Sequence, residues 1–396
     1  LFVYLFISFL ISLPFYFSNY QVTFINSLFE SISGLTGTGF SIFKNIKYLD
    51  PTLILWRSSS QWIGGLYFLY FLILIFSNKQ FNYKMNDLVY SGDGSINSES
   101  NIKNLLLKIF IIYTLLSILI FFLLSVVDIR LFNSLNLSMS LISTGGFLPT
   151  DSINKIIQSN PQKVVLIFSF ILAMVNFFII LNIFQYKILI KDHKEDFYLF
   201  IFTFILILLV YLNNGSGFDI VISVVSSIGN SGLSTINTDK NLSLYFVLIT
   251  VVGGSIISNT SGIKLTRIYI LLKTASSEII KLISPNNVVN KNIFHSDKKI
   301  TDENIKISFL IFISFFLSLF ILSSILIFDN IDFEKSFKLS ILTITNTTVS
   351  AMYGFNEMNF GNLLTTSKLS LIIFMIIGKI ELISFFLIFK KVFFKD

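Results

Sequence analysis

The stretch Ser31–Ser41, SISGLTGTGFS, decides how the rest of the chain reads. It follows a short apolar segment and precedes a long one. Lipid offers no partners to backbone N–H and C=O groups. A Gly- and Thr-rich turn at membrane depth therefore persists only where protein encloses it or where it lines a water-filled path. Related stretches recur as LISTGGFLPT (Leu141–Thr150), SSIGNSGLST (Ser226–Thr235) and, more weakly, LTITNTTVSA (Leu342–Ala351). Four such turns in one chain read as four filter segments around one ion path.

Composition agrees with membrane depth. The chain is 54% hydrophobic and 13% charged, with mean hydropathy +0.79, which excludes an ordinary soluble domain. It has no cysteine, hence no disulfide and no thiolate metal site. Its two histidines, His193 and His295, fall in polar stretches, and no paired carboxylates stand in the apolar ones, so an intramembrane enzyme is disfavoured. The formal charge of +7 reads as lysines in cytoplasmic loops rather than as a nucleic-acid footprint. Leu1–Phe17 lacks the basic start and cleavage site of a signal peptide and reads as a slightly trimmed membrane helix, which places the natural N-terminus further upstream.

The fold expected is an all-α polytopic membrane protein of four pseudo-repeats around one central pore. Each repeat contributes a helix, a re-entrant half-helix, a filter turn and a second helix. The repeats occupy residues 1–78, 79–192, 193–275 and 276–396. The half-helices are expected at Thr23–Leu35, Leu131–Ile142, Phe218–Ile228 and Phe333–Asn346. At ~1.5 Å per residue, Thr23–Leu35 reaches only about 20 Å, short of a ~30 Å hydrocarbon core. The other helices are read as eight spans, with those of repeat two at Lys103–Val127 and Lys163 to about Ile190, and the last at Lys368–Phe389. Polar loops are expected at Asn78–Asn101, Lys191–Asp196 and Ser276–Glu303. These loops and the C-terminal tail hold more of the 29 Lys and Arg residues than the turn side does, which makes the loop side cytoplasmic. Phe309, Phe312, Phe315, Phe316 and Phe320 read as lipid contact and packing.

The chemistry expected of the turns is cation coordination. A cation shedding water needs replacement oxygens, and inward-pointing carbonyls supply them. Glycine reaches the necessary dihedrals without steric cost, and Thr and Ser hydroxyls add ligands or fix the turn. The sequence assigns the filter to Thr36, Gly37, Thr38 and Gly39; Ile142, Ser143, Thr144 and Gly145; Gly229, Asn230, Ser231 and Gly232; and Thr347, Thr348, Val349 and Ser350. Gly39, Gly145 and Gly232 each follow Thr or Ser. A further break, GGSIISNTSG (Gly253–Gly262), interrupts the helix expected over Asn241–Lys273.

At these residues the chain resembles the Trk/Ktr/HKT superfamily of potassium transporters. The likeness rests on SGLTGTGF (Ser33–Phe40), WRSSSQWIGG (Trp56–Gly65), LISTGGF (Leu141–Phe147), GGSIISNTSGIK (Gly253–Lys264) and GKIE (Gly378–Glu381), and it covers essentially the whole chain. The resemblance implies a plasma-membrane potassium pathway, homodimerisation and a cytosolic nucleotide-binding ring that gates the pore. Potassium is then the transported ion at the filter, with no organic cofactor in this chain and nucleotide on the partner alone. It also implies an intramembrane gate loop, here Gly253, Gly254, Ser255, Ser258, Asn259, Thr260, Ser261 and Gly262. Lys379 stands where the family typically has Arg, which implies a positive charge below the filter; a structural ion pair, with Glu381 as one partner, is the alternative. Counting back without gaps from Gly378, the fourth filter glycine position falls on Ser350, and the resemblance implies that a Ser there loosens preference for potassium over sodium.

Glu30 and Arg57 are expected to form a buried pair that braces the filter. The function expected is gated potassium uptake. A sodium or mixed sodium/potassium transporter and a non-transporting membrane scaffold or sensor are the rivals.

Overall fold

The computed structural model describes residues 2–77, 99–184, 194–213, 217–236, 240–284, 292–295, 300–355 and 358–380. Most of the loop expected at Asn78–Asn101, His193, Glu381 and the part of the last span beyond residue 380 lie outside the described residues.

The described chain is mostly helical and falls into four successive quarters. The first has α1 (Phe2–Tyr16), the short α2 (Phe24–Thr36) and the long α3 (Pro51–Ser77). The second has α4 (Glu99–Val126), the short α5 (Leu131–Ile142) and a helix bent into α6 (Asn160–Met174) and α7 (Phe177–Phe184). The third has α8 (Lys194–Asn213), the short α9 (Gly217–Ile228), α10 (Lys240–Ile249), two single-pair strands β1 (Val252–Gly253) and β2 (Ile263–Lys264), and α11 (Leu265–Ile283). The fourth has α12 (Asp302–Phe328), the short α13 (Phe333–Ile344) and α14 (Thr365–Lys379).

Among the described residues, Lys103–Val126, Lys194–Leu212 and Asp302–Phe328 are long and apolar enough to cross a membrane, and the α6–α7 pair is a fourth if counted as one span. These helices present large apolar side chains outward, as a lipid-facing surface requires. On α12, Phe309, Phe312, Phe316 and Phe320 are exposed while Phe315 is buried. The four short helices are the opposite: the residues of their last turns are buried apart from the half-buried Met139, serines and threonines included.

The quarters close on one another in cyclic order. α3 packs on α5, α6 on α9, α10 on α13, and α14 on α2. Small residues permit the closest crossings. A Cβ on Gly64 of α3 would lie 1.9 Å from the Leu35 carbonyl oxygen, and one on Gly378 of α14 would lie 2.2 Å from that of Ile344. These equivalent approaches seat two short helices against the second helix of their own quarter.

Three helices differ from the sequence expectation, one of them α8, which begins at Lys194 inside the loop expected at Lys191–Asp196. The helix read as continuous from Lys163 begins earlier, at a capping box formed by Ser159 and Gln162, and bends by 100° between Met174 and Phe177. No glycine or proline marks the bend. It exists because its open backbone groups pair with another segment: Ser255 N–H donates to Met174 O and Phe177 N–H to Ile257 O. In the third quarter, α11 continues to Ile283, past the Ser276 at which a loop was expected. Its buried stripe of Ile270, Thr274 and Ser277 carries the helix further than its polarity suggests.

Candidate ion filter and gate

Each short helix ends in a left-handed residue. In the four turns these are Gly37 (φ 75°), Thr144 (φ 54°), Asn230 (φ 55°) and Asn346 (φ 49°). Their N–H groups donate to carbonyls three residues back: Gly34, Leu141, Ser227 and Thr343. The shared geometry sets the register between turns. Glycine takes this conformation freely and Asn tolerates it, whereas β-branched Thr144 is strained there.

Counting two residues on, the equivalent positions are Gly39, Gly146, Gly232 and Thr348, and they converge. A Cβ on Gly39 would lie 2.0 Å from Thr348 Oγ1 and 2.9 Å from Gly146 Cα. One on Gly146 would lie 1.5 Å from Thr348 Oγ1, and one on Gly232 would lie 2.3 Å from the Thr348 carbonyl oxygen. Three side-chain-free positions thus surround one threonine.

The sequence assignment is corrected in two turns. Thr144 is the left-handed residue that matches Gly37, so the second turn runs Ser143, Thr144, Gly145, Gly146, and Gly146 rather than Gly145 matches Gly39. The fourth turn runs Thr345, Asn346, Thr347, Thr348. Val349 and Ser350 follow it, and Ser350 starts a 3₁₀ turn whose Tyr353 and Phe355 N–H groups donate to its carbonyl. A gapless count from Gly378 failed because the connection to α14 contains two 3₁₀ turns, Ala351–Tyr353 and Phe360–Asn362.

Polar contacts join neighbouring turns. Asn346 Nδ2 donates to Thr38 Oγ1 at 3.0 Å, Asn230 Nδ2 to Thr347 Oγ1 at 3.2 Å, and Ser231 Oγ to the Gly145 carbonyl at 3.3 Å. Asn230 and Asn346 also donate to Thr250 O and Met375 O, fastening the third and fourth turns to the helices behind them.

Behind the first two turns sits the pair anticipated from sequence. Arg57 Nε lies 2.8 Å from Glu30 Oε1, with both side chains buried. Glu30 also accepts from Ser41 Oγ and Ile42 N–H, and Arg57 stands 4.1 Å over the Phe147 ring. The carboxylate's lone pairs are thereby satisfied, as a buried ion pair demands. Gln61, part of the quoted WRSSSQWIGG motif but given no role there, accepts the Phe147 N–H through Oε1.

The Gly253–Gly262 segment carries no helix. β1 and β2 pair in parallel at its two ends, and Gly262 (φ 72°) turns the chain between them. A Cβ on Gly253 would lie 2.0 Å from Ser261 O, so the closure of the loop requires glycine. Lys264, absent from the sequence assignment, is buried and fills the loop from within, its ammonium donating to Thr260 O at 2.6 Å and to Ser258 Oγ at 3.2 Å. The segment reaches the turns through Asn259. Its Nδ2 donates to Ile142 O at 2.7 Å, and its carbonyl accepts from Thr144 Oγ1 at 3.2 Å and from Lys379 Nζ at 2.9 Å. Lys379 is buried at the end of α14, 4.6 Å from the Phe68 ring centroid, and a Cβ on Gly37 would lie 3.7 Å from its ammonium.

The model of the TrkH family of cation transport proteins matches residues 4–194 and 236–396. An uncharacterized cation transporter of Methanocaldococcus jannaschii is 26% identical over 98% of this chain and 80% of its own length. The Trk system potassium uptake protein TrkG of Escherichia coli is 25% identical over 96% of this chain and 81% of its own. The crystal structure of the potassium transporter TrkH from Vibrio parahaemolyticus superposes with a TM-score of 0.83 at 20% identity, covering 98% of this chain and 83% of that one. The match across both segments, on a fold shared over nearly the whole length, makes this chain a membrane-embedded member of the TrkH family of cation transport proteins.

Proposed function

We propose that the chain is the pore-forming subunit of a potassium uptake system. The observation that carries this reading is the convergence of Gly39, Gly146, Gly232 and Thr348 from four short helices. The C-terminal ends of those helices carry partial negative charge, which favours a cation where they meet. Carbonyls of the turns, from Thr36 to Gly39 and their equivalents, replace the water the ion sheds. The four repeats, residues 1–78, 79–192, 193–275 and 276–396, form one ring around the path. Gly253–Gly262 blocks the path beneath the filter, and Lys379 adds a fixed positive charge there. The names of the Escherichia coli and Vibrio relatives support potassium as the ion. A homodimer in the plasma membrane, with inter-repeat loops facing a cytosolic nucleotide-binding ring, completes the proposal.

The test is cation flux into liposomes containing the purified protein. Potassium and rubidium are expected to enter faster than sodium and lithium. Absence of any cation flux from folded, inserted protein supports a scaffold or sensor instead. One observation favours a second reading, a mixed sodium/potassium pathway: Thr348 occupies the glycine level of the fourth turn. Equal potassium and sodium entry is its signature.

A further inference from the structure

The Gly253–Gly262 segment is held from outside the ring by the first turn of α8. Glu195 Oε2 accepts from Ser255 Oγ at 3.0 Å. Glu195 Oε1 accepts from the Ile256 N–H at 3.1 Å and from Thr266 Oγ1 at 2.5 Å. Ser255 and Ile256 lie at the start of the segment, and Thr266 lies just past its end. One carboxylate therefore closes the segment's entry onto its exit. The next residue, Asp196, is buried and accepts from the Asn176 N–H at 2.9 Å, at the α6–α7 bend. That bend is bonded to the same segment through Met174 O and Phe177 N–H.

A non-helical strand at membrane depth needs a partner for each backbone donor. Lys264 supplies cationic donors to the segment's oxygens from within, and Glu195 supplies acceptors from without. Residues 194–196 directly follow the link from the second quarter to the third.

We propose that Glu195 is a positioning residue that latches the Gly253–Gly262 segment shut and ties its opening to displacement of the start of α8. The proposal rests on reading that segment as the gate. A ligand or partner that shifts the start of α8 breaks two bonds to the segment and one to Thr266 just past it, whereas one that touches the ring elsewhere leaves them in place.

The natural absence of cysteine makes the test clean. Ser261 is buried, and its hydroxyl has no hydrogen-bond partner, so Ser261→Cys is a mild reporter inside the segment. Ser314→Cys on α12, about as buried but outside the segment, is the control. Modification by a charged, water-soluble thiol reagent is followed with rubidium flux into liposomes. In the Glu195→Ala background, Ser261→Cys is expected to react at least tenfold faster and flux to rise in parallel, with Ser314→Cys unchanged. Glu195→Gln, which keeps a carbonyl oxygen for the Ile256 N–H, is expected to fall between, and it serves where the Ala variant does not fold. Unchanged Ser261→Cys reactivity and unchanged flux in a folded Glu195 variant overturn the latch. A companion deletion within Gly253–Gly262 separates the two readings. If deletion raises flux but Glu195 variants do nothing, the latch alone fails. If deletion leaves flux unchanged, the gate reading fails and the latch with it.

Discussion

The Thr348 hydroxyl donates to the Thr38 carbonyl oxygen at 2.7 Å, across the point where the first and fourth turns meet. Three of the four equivalent positions carry no side chain, and the fourth places a hydroxyl among them. One backbone oxygen of the first turn is thereby engaged by protein rather than free for an ion. The fourth turn also carries a Cβ, which narrows the dihedrals by which its own carbonyl swings inward.

Selectivity follows from this contact. Thr348→Gly is expected to raise the potassium-to-sodium permeability ratio several-fold, because selectivity depends on the number and arrangement of coordinating oxygens. Ser350→Gly, outside the turn, is expected to leave the ratio unchanged. Reversal potentials under ion substitution measure both. A ratio that moves with Ser350 and not with Thr348 refutes the corrected register.

Lys379 is the second test of the path. Its ammonium bonds to Asn259 O and lies close to Gly37 of the first turn. On the proposed reading, Lys379→Met is expected to raise cation flux several-fold, by removing both a repulsive charge and a fastening of the Gly253–Gly262 segment. A variant that is folded but no more conductive leaves Lys379 as packing only.

The Glu30–Arg57 pair gives a stability prediction. Arg57→Ala strands a buried carboxylate and is expected to cost about 3–5 kcal/mol. Glu30→Gln with Arg57→Met removes both charges and is expected to cost less than Arg57→Ala alone. Melting of the purified protein in one detergent compares them. A double variant less stable than Arg57→Ala contradicts the desolvation argument.

Close helix approach predicts sharp intolerance at Gly64. Its Cβ would sit 1.9 Å from a backbone oxygen, which has no rotamer by which to yield. Gly64→Ala is expected to destabilise by about 1–3 kcal/mol. Gly217→Ala, where nothing lies within 4 Å, is expected to be neutral or slightly stabilising. Equal melting temperatures for the two variants would falsify the packing at α2.

Outside the spans, Asp151 joins the connections that follow the first two turns. Its carboxylate bonds to Lys155 and accepts from the Ile46 and Lys47 N–H groups. The Lys155 bond first, and these N–H groups after it, hold its pKa below the ordinary value. A depressed folded pKa contributes stability above the unfolded value, and that contribution disappears as pH falls through the folded value. The pair is largely exposed, so its worth is below about 1 kcal/mol. The stability difference between the native chain and Asp151→Asn is expected to be constant from neutral pH down to about pH 5 and to shrink below about pH 4. A difference that persists undiminished at pH 3 rules out the ionised carboxylate as its source.

The short helices were legible because apolar runs too brief to span a membrane are conspicuous beside long ones. The Gly253–Gly262 break was legible because lipid forbids it without cause. Glu30 and Arg57 were legible because charges are rare at that depth. Register within the turns was not, because the left-handed position is filled by Gly, Thr, Asn and Asn in turn, so no residue type marks it. In TGGF the Thr-Gly pattern picks Gly145, and only the left-handed backbone of Thr144 points to Gly146. The α6–α7 bend and the Glu195 contacts were illegible for a different reason. Both depend on bonds between segments distant in sequence, and nothing local announces them.

The seam between α2 and α14 has a temporal side. Thr38 and Thr348 are 310 residues apart, yet they meet at the centre of the ring. At ordinary rates of translation the first turn emerges ~15–60 s before its neighbour in the fourth quarter exists. Throughout that interval the buried serines of α2 and the oxygens of its turn have no α14 to cover them. The nascent chain must wait with an open flank, shielded by lipid headgroups, water or the insertion machinery. A ring made from one polypeptide therefore closes only once its fourth quarter has been made, and a chain arrested before that leaves the ring open rather than smaller.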